Sequence, residues 1–479
     1  MIWPNLSYEM KRKLVILTAV LSFAVGSALL TVKLEYFAIF FALLFAGGIV
    51  FTIALFSNPK VGFLTYLVYC FFIAGLLKNT GLPFGPLMEV LLGVTWLSLL
   101  YNYKQIKWKE ISNDHVIIAL IWFSLNIIEL VNPEGASLLG WLNEVRFTAF
   151  NWLLIAPLGY LLFKSKRDLD VFFIVIISLS VLGTLYGVKQ YFLGVSAGEQ
   201  RWLDEGGATT HIIDGRLRVF SFYTDAGQFG ASQAAMAAIA FVMALGPFKR
   251  WKKVSLGISG MILFYGMLIS GTRGAFFALV VASIFAVSLS KNFKVLFAGL
   301  LLVLAMFGFL KYTTIGSGNY QIVRLRTAVD PQNDSFNARL INQAKLKELM
   351  KNKPFGAGVG SIGLNGIKFN SEKYLSNIPP DSYWVKIWVM YGPVGLVIWF
   401  SLIMFMIGKC CGTVWNIQDK GLKVKCIALT SGTAGLFFCS YANEVMNGFP
   451  SVVILYMSWS FVLMANSLDG KKIEPQKHH

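Results

Sequence analysis

Long apolar runs separated by short polar punctuation dominate the chain. A bilayer-crossing helix needs ~20 mostly apolar residues. Fourteen stretches read as candidates: 14–32, 34–56, 61–77, 87–101, 115–131, 147–163, 171–193, 226–247, 254–270, 273–290, 294–311, 382–408, 424–442 and 450–466. The runs 61–77 and 87–101 are short and read either as full spans reaching into flanking Gly and Pro or as re-entrant segments. The pattern predicts an all-α polytopic membrane protein with about 14 transmembrane helices and one long, partly helical extracytoplasmic loop. Three regions follow: residues 1–311 with membrane helices 1–11, residues 312–381 as the extracytoplasmic loop, and residues 382–479 with helices 12–14 and a cytoplasmic tail.

Most connections between helices run to ~4–6 residues, so the 312–381 segment is more than a link. Inside it, Asp334 or Ser335 can cap a helix running to about Lys351, ended by Pro354-Phe355-Gly356. Phe336, Leu340, Ile341, Ala344 and Leu349 share one face, with Arg339, Lys345, Lys347 and Lys351 around the rest. Two readings stand: a surface helix with a solvated basic face, or an interfacial helix resting on anionic lipid head groups. A second external segment covers 194–225.

Composition changes the picture in one respect. Only 14% of the 479 residues are charged and 56% are hydrophobic, yet Lys and Arg number 42 against 24 Asp and Glu, a net charge of +18. Mean hydropathy is +0.63, which excludes a disordered chain. The charges sit between apolar runs rather than on a polar surface, so no nucleic-acid partner is expected. Lys11-Arg12-Lys13 could open a signal peptide. No clean cleavage site follows and another span begins at once, which favours an uncleaved first helix. Those charges put the N-terminus in the cytoplasm, and alternation places lysine-rich loops inside throughout. An even number of spans returns the C-terminus to the same side. The cysteines, Cys70, Cys410, Cys411, Cys426 and Cys439, include none in the long loop and show no zinc-type spacing. No metal or other cofactor is expected.

Arginine is distributed differently from lysine. Of eleven arginines, Arg12, Arg167 and Arg250 fall inside; Arg146, Arg201, Arg216, Arg218, Arg273, Arg324, Arg326 and Arg339 fall outside or in outer halves of spans. Topology needs only positive charge, whereas arginine offers a planar fork that binds phosphate bidentately. An external phosphorylated ligand would explain the set; pairing with loop carboxylates or lipid head groups would explain any single member. Arg273 sits in the turn Ser270-Gly271-Thr272-Arg273-Gly274 between two apolar runs, where a charge is costly unless it faces a polar cavity or partner. Arg216 and Arg218 precede Phe220-Ser221-Phe222-Tyr223-Thr224-Asp225-Ala226-Gly227-Gln228-Phe229-Gly230, a polar approach to the next span with His211 and Asp225 as titratable members. Pro379-Pro380-Asp381-Ser382-Tyr383 opens a later span. Asp381 reads as its N-cap, and equally as a general base on a sugar hydroxyl. Glu444, in Tyr441-Ala442-Asn443-Glu444, lies near the same boundary.

These residues resemble the O-antigen ligase and Wzy-type polymerase superfamily of bacterial envelope glycosyltransferases. Arg218-Val219-Phe220 with Asp225–Gly230 is similar to its Arg-then-Phe-Gly-rich approach to a middle span. Ser270–Gly274 is similar to its Ser-x-Ser-Arg-Gly turn. Arg339 through Lys353-Pro354-Phe355-Gly356-Ala357-Gly358-Val359-Gly360 resembles the loop helix running into Pro-x-x-Gly-x-Gly. Asp381-Ser382, nine residues, then Gly392-Pro393-Val394-Gly395 resembles His-Asn/Ser-x9-Gly-x-x-Gly, with Asp381 where the family has histidine. The matches cover about 216–396, in order.

The resemblance implies a metal-independent transfer of a glycan from undecaprenyl pyrophosphate on the periplasmic face of the bacterial inner membrane. The acceptor would be lipid A-core for a ligase, or a second lipid-linked repeat unit for a polymerase. On this reading Arg273 and Asp381 are catalytic, and Arg218, Arg273, Arg216 and Arg339 hold the donor pyrophosphate. His211, Asp225, Ser382, Tyr383 and Glu444 are acceptor-side residues or alternative bases. A protein O-oligosaccharyltransferase is a close rival. A lipid-linked oligosaccharide flippase would instead show duplicated halves, charged span interiors and short external loops.

Overall fold

Apolar runs of this length leave the backbone one way to satisfy its hydrogen bonds inside a bilayer, the helix. The computed structural model describes residues 36–135, 137–213, 215–291, 308–309, 311–315, 317–318, 320–327 and 334–469. Its long helices are α1 (Tyr36–Ser57), α2 (Pro59–Thr80), α3 (Leu87–Tyr101), α4 (Asp114–Ile128), α5 (Leu138–Val145), α6 (Asn151–Leu162), α7 (Lys166–Leu193), α8 (Ala226–Ala244), α9 (Arg250–Ile269) and α10 (Arg273–Ser290). There follow the loop helices α11 (Tyr320–Arg326), α12 (Asp334–Leu349) and α13 (Gly363–Phe369), then α14 (Tyr383–Asn416), α15 (Lys420–Cys439) and α16 (Ser451–Leu463). Among the described residues nine helices are long and apolar enough to cross a membrane, and Leu43–Ser57, Leu87–Tyr101 and Ser451–Leu463 are shorter apolar helices. The chain is an all-α polytopic membrane protein. Twelve expected spans appear as helices; 14–32 lies outside the described residues and 294–311 almost wholly so. The span expected at 147–163 begins earlier, because α5 runs through a π-turn, Arg146–Phe150, into α6.

Two compact units emerge, Met1–Gly62 with Gly93–Tyr103, and Phe63–Leu92 with Lys104–His479. In the first, Ser98 Oγ donates to the Leu55 carbonyl (2.8 Å) and Asn102 Nδ2 to that of Phe56 (2.8 Å). The second unit holds every candidate site residue. Its centre is α8, whose small side chains let α9, α10 and α15 approach closely and leave it almost wholly buried. At the end expected to be cytoplasmic, Lys164–Glu110, Lys166–Asp419, Lys409–Asp114 and Lys425–Asp170 form ion pairs.

The long α14 is not one continuous helix. Gly392 has φ 68° and ψ −177°, and Pro393 lacks the N–H that would bond the Val389 carbonyl. The loop segment after α12 replaces it: Ala357 N–H donates to Val389 O (2.8 Å) and Gly358 N–H to Met390 O (3.1 Å). Gly356 (φ +84°) and Gly392 sit at this crossing. A β-carbon on either would collide with backbone, Met390 O for the first and Pro354 O for the second. Thus the Pro-Phe-Gly-Ala-Gly-Val-Gly and Gly-Pro-Val-Gly motifs form one joint, with Gly356 to Gly360 and Gly392 buried at its centre. The rest of the loop is fastened to the 132–145 segment. Asn370 Oδ1 accepts from Ser137 N–H (2.8 Å), and Lys373 Nζ donates to the Glu134 and Gly135 carbonyls (3.0 and 2.6 Å). Lys353 beside Glu134 holds that carboxyl below the usual range.

Candidate active site

Three chain turns meet where α8, α10 and α14 begin. Asp225 caps α8, accepting from Gln228 N–H (2.9 Å). In the α9–α10 turn, Ser270 Oγ accepts from Thr272 N–H (3.1 Å), while Thr272 Oγ1 donates to Ala226 O (2.8 Å). The turn is thereby tied to the start of α8. Gly271 adopts φ +59°, and its carbonyl accepts from Arg324 Nε of α11 (2.7 Å). The third turn follows α15. Cys439 Sγ donates to Gly274 O (3.2 Å), Asn443 packs on Gly227 and Gly274, and Ser440 O accepts from Tyr383 N–H (2.9 Å).

Around this junction the structure gathers arginines. Arg218 donates to Thr210 O (3.0 Å) and to Thr272 Oγ1 (3.2 Å). Burial pushes its guanidinium down to about 10, with Arg324 and Arg273 acting in the same direction and Asp225 opposing. Arg273, half-buried at the start of α10, reaches Thr327 of the loop (3.4 Å to Oγ1). Arg339, from α12, lies within electrostatic reach of Arg273 and Cys439. Arg324 and Arg273 act on Arg218, and Arg324 and Arg339 on Arg273, a concentration of positive charge that an anion would offset. Arg216 does not join the cluster; its guanidinium stacks 4.8 Å over the Tyr320 ring. Arg146 pairs with Glu89, and Arg201 donates to Asn79 O.

The expected acceptor-side residues separate. Ser382, not Asp381, caps α14, accepting from Val385 N–H (3.4 Å). Asp381 stands one residue earlier with φ 54°, a left-handed conformation that Asp tolerates better than most residues, and accepts from Asn342 Nδ2 of α12 (3.1 Å). Asn342 is one turn from Arg339, so α12 touches both the carboxylate and the arginines. Tyr383 is buried against Trp399. Glu444 pairs with Lys386 of α14 (3.0 Å). The inward face of α12 comprises Arg339, Asn342, Gln343 and Leu346, with Met350 buried just past its end, whereas Leu340, Ile341, Ala344 and Leu349 point outward.

His211 is enclosed by Trp202 and Phe220. Its Nε2 accepts from Ala226 N–H (3.2 Å) and its Nδ1 lies 3.0 Å from Gly207 O, so both ring nitrogens are engaged by a neutral ring. Burial, then the positive charge of Lys78, lowers its pKa from 6.5 to about 4, with Arg218 adding to the effect and Asp225 opposing. A depressed histidine favours the folded state fully above pH 6.5 and loses that contribution as pH falls toward 4, up to about 3 kcal/mol. The protection factors of amides across 197–218, corrected for the intrinsic pH dependence of exchange, are expected to fall over that interval, and His211→Gln to flatten that fall.

Residues that sequence reading left aside also contribute. Lys78 Nζ, from α2, donates to Tyr223 O (2.7 Å) between the Trp202 and Phe220 rings, anchoring the external 194–225 segment. Arg324 was one of several outward arginines with no motif to single it out. Lys386 did carry a signal, a lysine inside an otherwise apolar span.

With this geometry in view, residues 258–400 match the protein family described as O-Antigen ligase. An O-antigen polymerase from Salmonella muenchen is 26% identical over 189 residues, covering 39% of this chain and 45% of that protein. The alignment thus spans less than half the length of that relative. The fold defines the class, a polytopic integral membrane protein. Over these residues the chain is similar to the O-antigen ligase family and to an O-antigen polymerase.

Proposed function

We propose that the protein transfers a glycan from undecaprenyl pyrophosphate to an acceptor on the periplasmic face of a bacterial inner membrane, with both termini cytoplasmic. The observation that carries this reading is the convergence of Arg218, Arg273, Arg324 and Arg339 on one turn. The sugar–pyrophosphate bond carries the driving force. As it breaks, negative charge grows on the leaving diphosphate, and preorganised guanidinium forks stabilise it without calling on a metal ion. Asp381, facing α12 beside Arg339, engages the acceptor hydroxyl. His211 and Asp225 hold the start of α8, and Ser382 and Tyr383 the start of α14. Arg216 steadies the loop through Tyr320.

The first reading is an O-antigen ligase, with lipid A-core as acceptor. The printed name of the Salmonella relative favours a second, a polymerase joining lipid-linked repeat units. Deleting the gene and resolving envelope polysaccharide on a gel separates them. Loss of all glycan chains on lipid A-core marks a ligase, and single repeat units left on core mark a polymerase. Unchanged polysaccharide would remove both. Asp381→Asn is expected to raise the acceptor KM and lower turnover about tenfold while sparing donor binding, measured with lipid-linked glycan in vesicles.

A further inference from the structure

The first half of α14 carries Lys386, one turn beyond Ser382 and buried within the protein. Its Nζ lies 3.0 Å from Glu144 Oε1 of α5 and 3.0 Å from Glu444 Oε2. The two carboxylates are not equivalent. Glu144 is enclosed, its side chain 1% exposed, and its second oxygen accepts from Asn365 Nδ2 of α13 (2.8 Å). Glu444 keeps 31% of its side chain exposed, and its Oε1 lies on the side of Gly363. There Gly363 has φ +74°, and a β-carbon would sit 3.4 Å from Lys386 Nζ and 3.8 Å from that oxygen. Glu444 also directly follows Asn443, which packs against Gly274, the neighbour of Arg273.

One ammonium cannot balance two carboxylates, so the group carries an excess negative charge in a poorly solvated place. That charge suits a proton, and Glu444 is the member a substrate can reach. Building on the transferase reading, we propose that Glu444 is the group that accepts the proton of the attacking acceptor hydroxyl, and that Lys386, backed by Glu144, is its positioning residue. The acceptor O–H bond breaks as its oxygen bonds the anomeric carbon. The C–O bond to the pyrophosphate breaks and the leaving group takes that electron pair. The proton goes to Glu444, leaving Asp381 to hold the acceptor rather than deprotonate it. Burial raises the Glu444 pKa, with Glu144 and Asp225 adding to the rise and Lys386 opposing it. The rate should therefore rise with pH along a limb set by Glu444.

The test uses the full chain in proteoliposomes containing lipid A-core, supplied with lipid-linked glycan extracted from cells lacking the protein. Release of undecaprenyl pyrophosphate is followed from pH 5 to 9. Glu444→Gln is expected to lower turnover about 10²-fold and erase the limb, while Glu444→Asp restores part of both. Lys386→Met should shift the limb to higher pH, a displacement that a merely structural lysine would not cause. Thermal unfolding in detergent separates misfolded variants from inactive ones. Retention of wild-type rate and limb in Glu444→Gln, or loss of the limb in Asp381→Asn instead, overturns the assignment. Absence of transfer by the wild-type protein would overturn the transferase reading itself, a distinguishable result.

Discussion

Replacing Arg273 with alanine is expected to abolish glycan transfer, by about 10³-fold, while the protein still inserts in membranes at normal levels. Removing one preorganised donor to a developing anion costs ~10²–10³ in rate, and Arg273 contributes both a fork and a full charge. Its position explains why the fold should survive. It begins α10, is half-buried, and reaches the loop at Thr327 (3.4 Å), whereas Thr272 and Ser270 hold the turn together. Arg273→Lys keeps the charge but loses the fork, and should recover only part of the rate. Normal polysaccharide in cells carrying Arg273→Ala, measured on gels beside membrane levels of the variant, would exclude Arg273 from the mechanism.

How far the site was legible follows from the range over which each residue acts. Arg273 could be singled out because arginine between two apolar runs is costly on local grounds alone, while Arg218 and Arg339 stood out only through the motifs around them. α12 as a helix follows from neighbouring residues, whereas Asp225, read as a titratable residue, caps α8. Asp381 as a cap was displaced by one residue, since Ser382 offers the same acceptor chemistry and the chain turns sharply at Asp381 instead. The orientation of α12 was not legible. Its sequence left a surface and an interfacial reading open, and the structure turns Arg339 and Asn342 inward while Leu340 and Ile341 stay exposed. The Lys386 pairing joins α5, α14 and the turn after α15, and no local pattern announces a partnership between residues so far apart in the chain. Lysine likewise proved to have a second use: several of the orientation-setting lysines also pair with acids between helix ends.

Gly392→Ala is expected to do more damage than any loss of a surface charge, because it strikes the joint that keeps α14 broken. The substitution meets two costs together. A residue with a β-carbon at φ 68°, ψ −177° sits in a region essentially reserved for glycine, costing about 1–3 kcal/mol. The added methyl would also collide with the Pro354 carbonyl. Relief requires the 354–358 strand to move away, which strands the Val389 and Met390 carbonyls now bonded to Ala357 and Gly358. Each stranded carbonyl adds about 1–3 kcal/mol. We expect the variant to fall to a small fraction of wild-type abundance in membranes, with a depressed unfolding temperature in detergent. Gly356→Ala, which confronts Met390 O across the same crossing, should match it. Gly408→Ala, in open space on the same helix, should be harmless. The contrast matters for mechanism, since the joint holds the half-helix that presents both Asp381 and Lys386. If Gly392→Ala folds stably yet transfers glycan normally, the two motifs are not a single joint, and the placement of those residues must depend on contacts elsewhere.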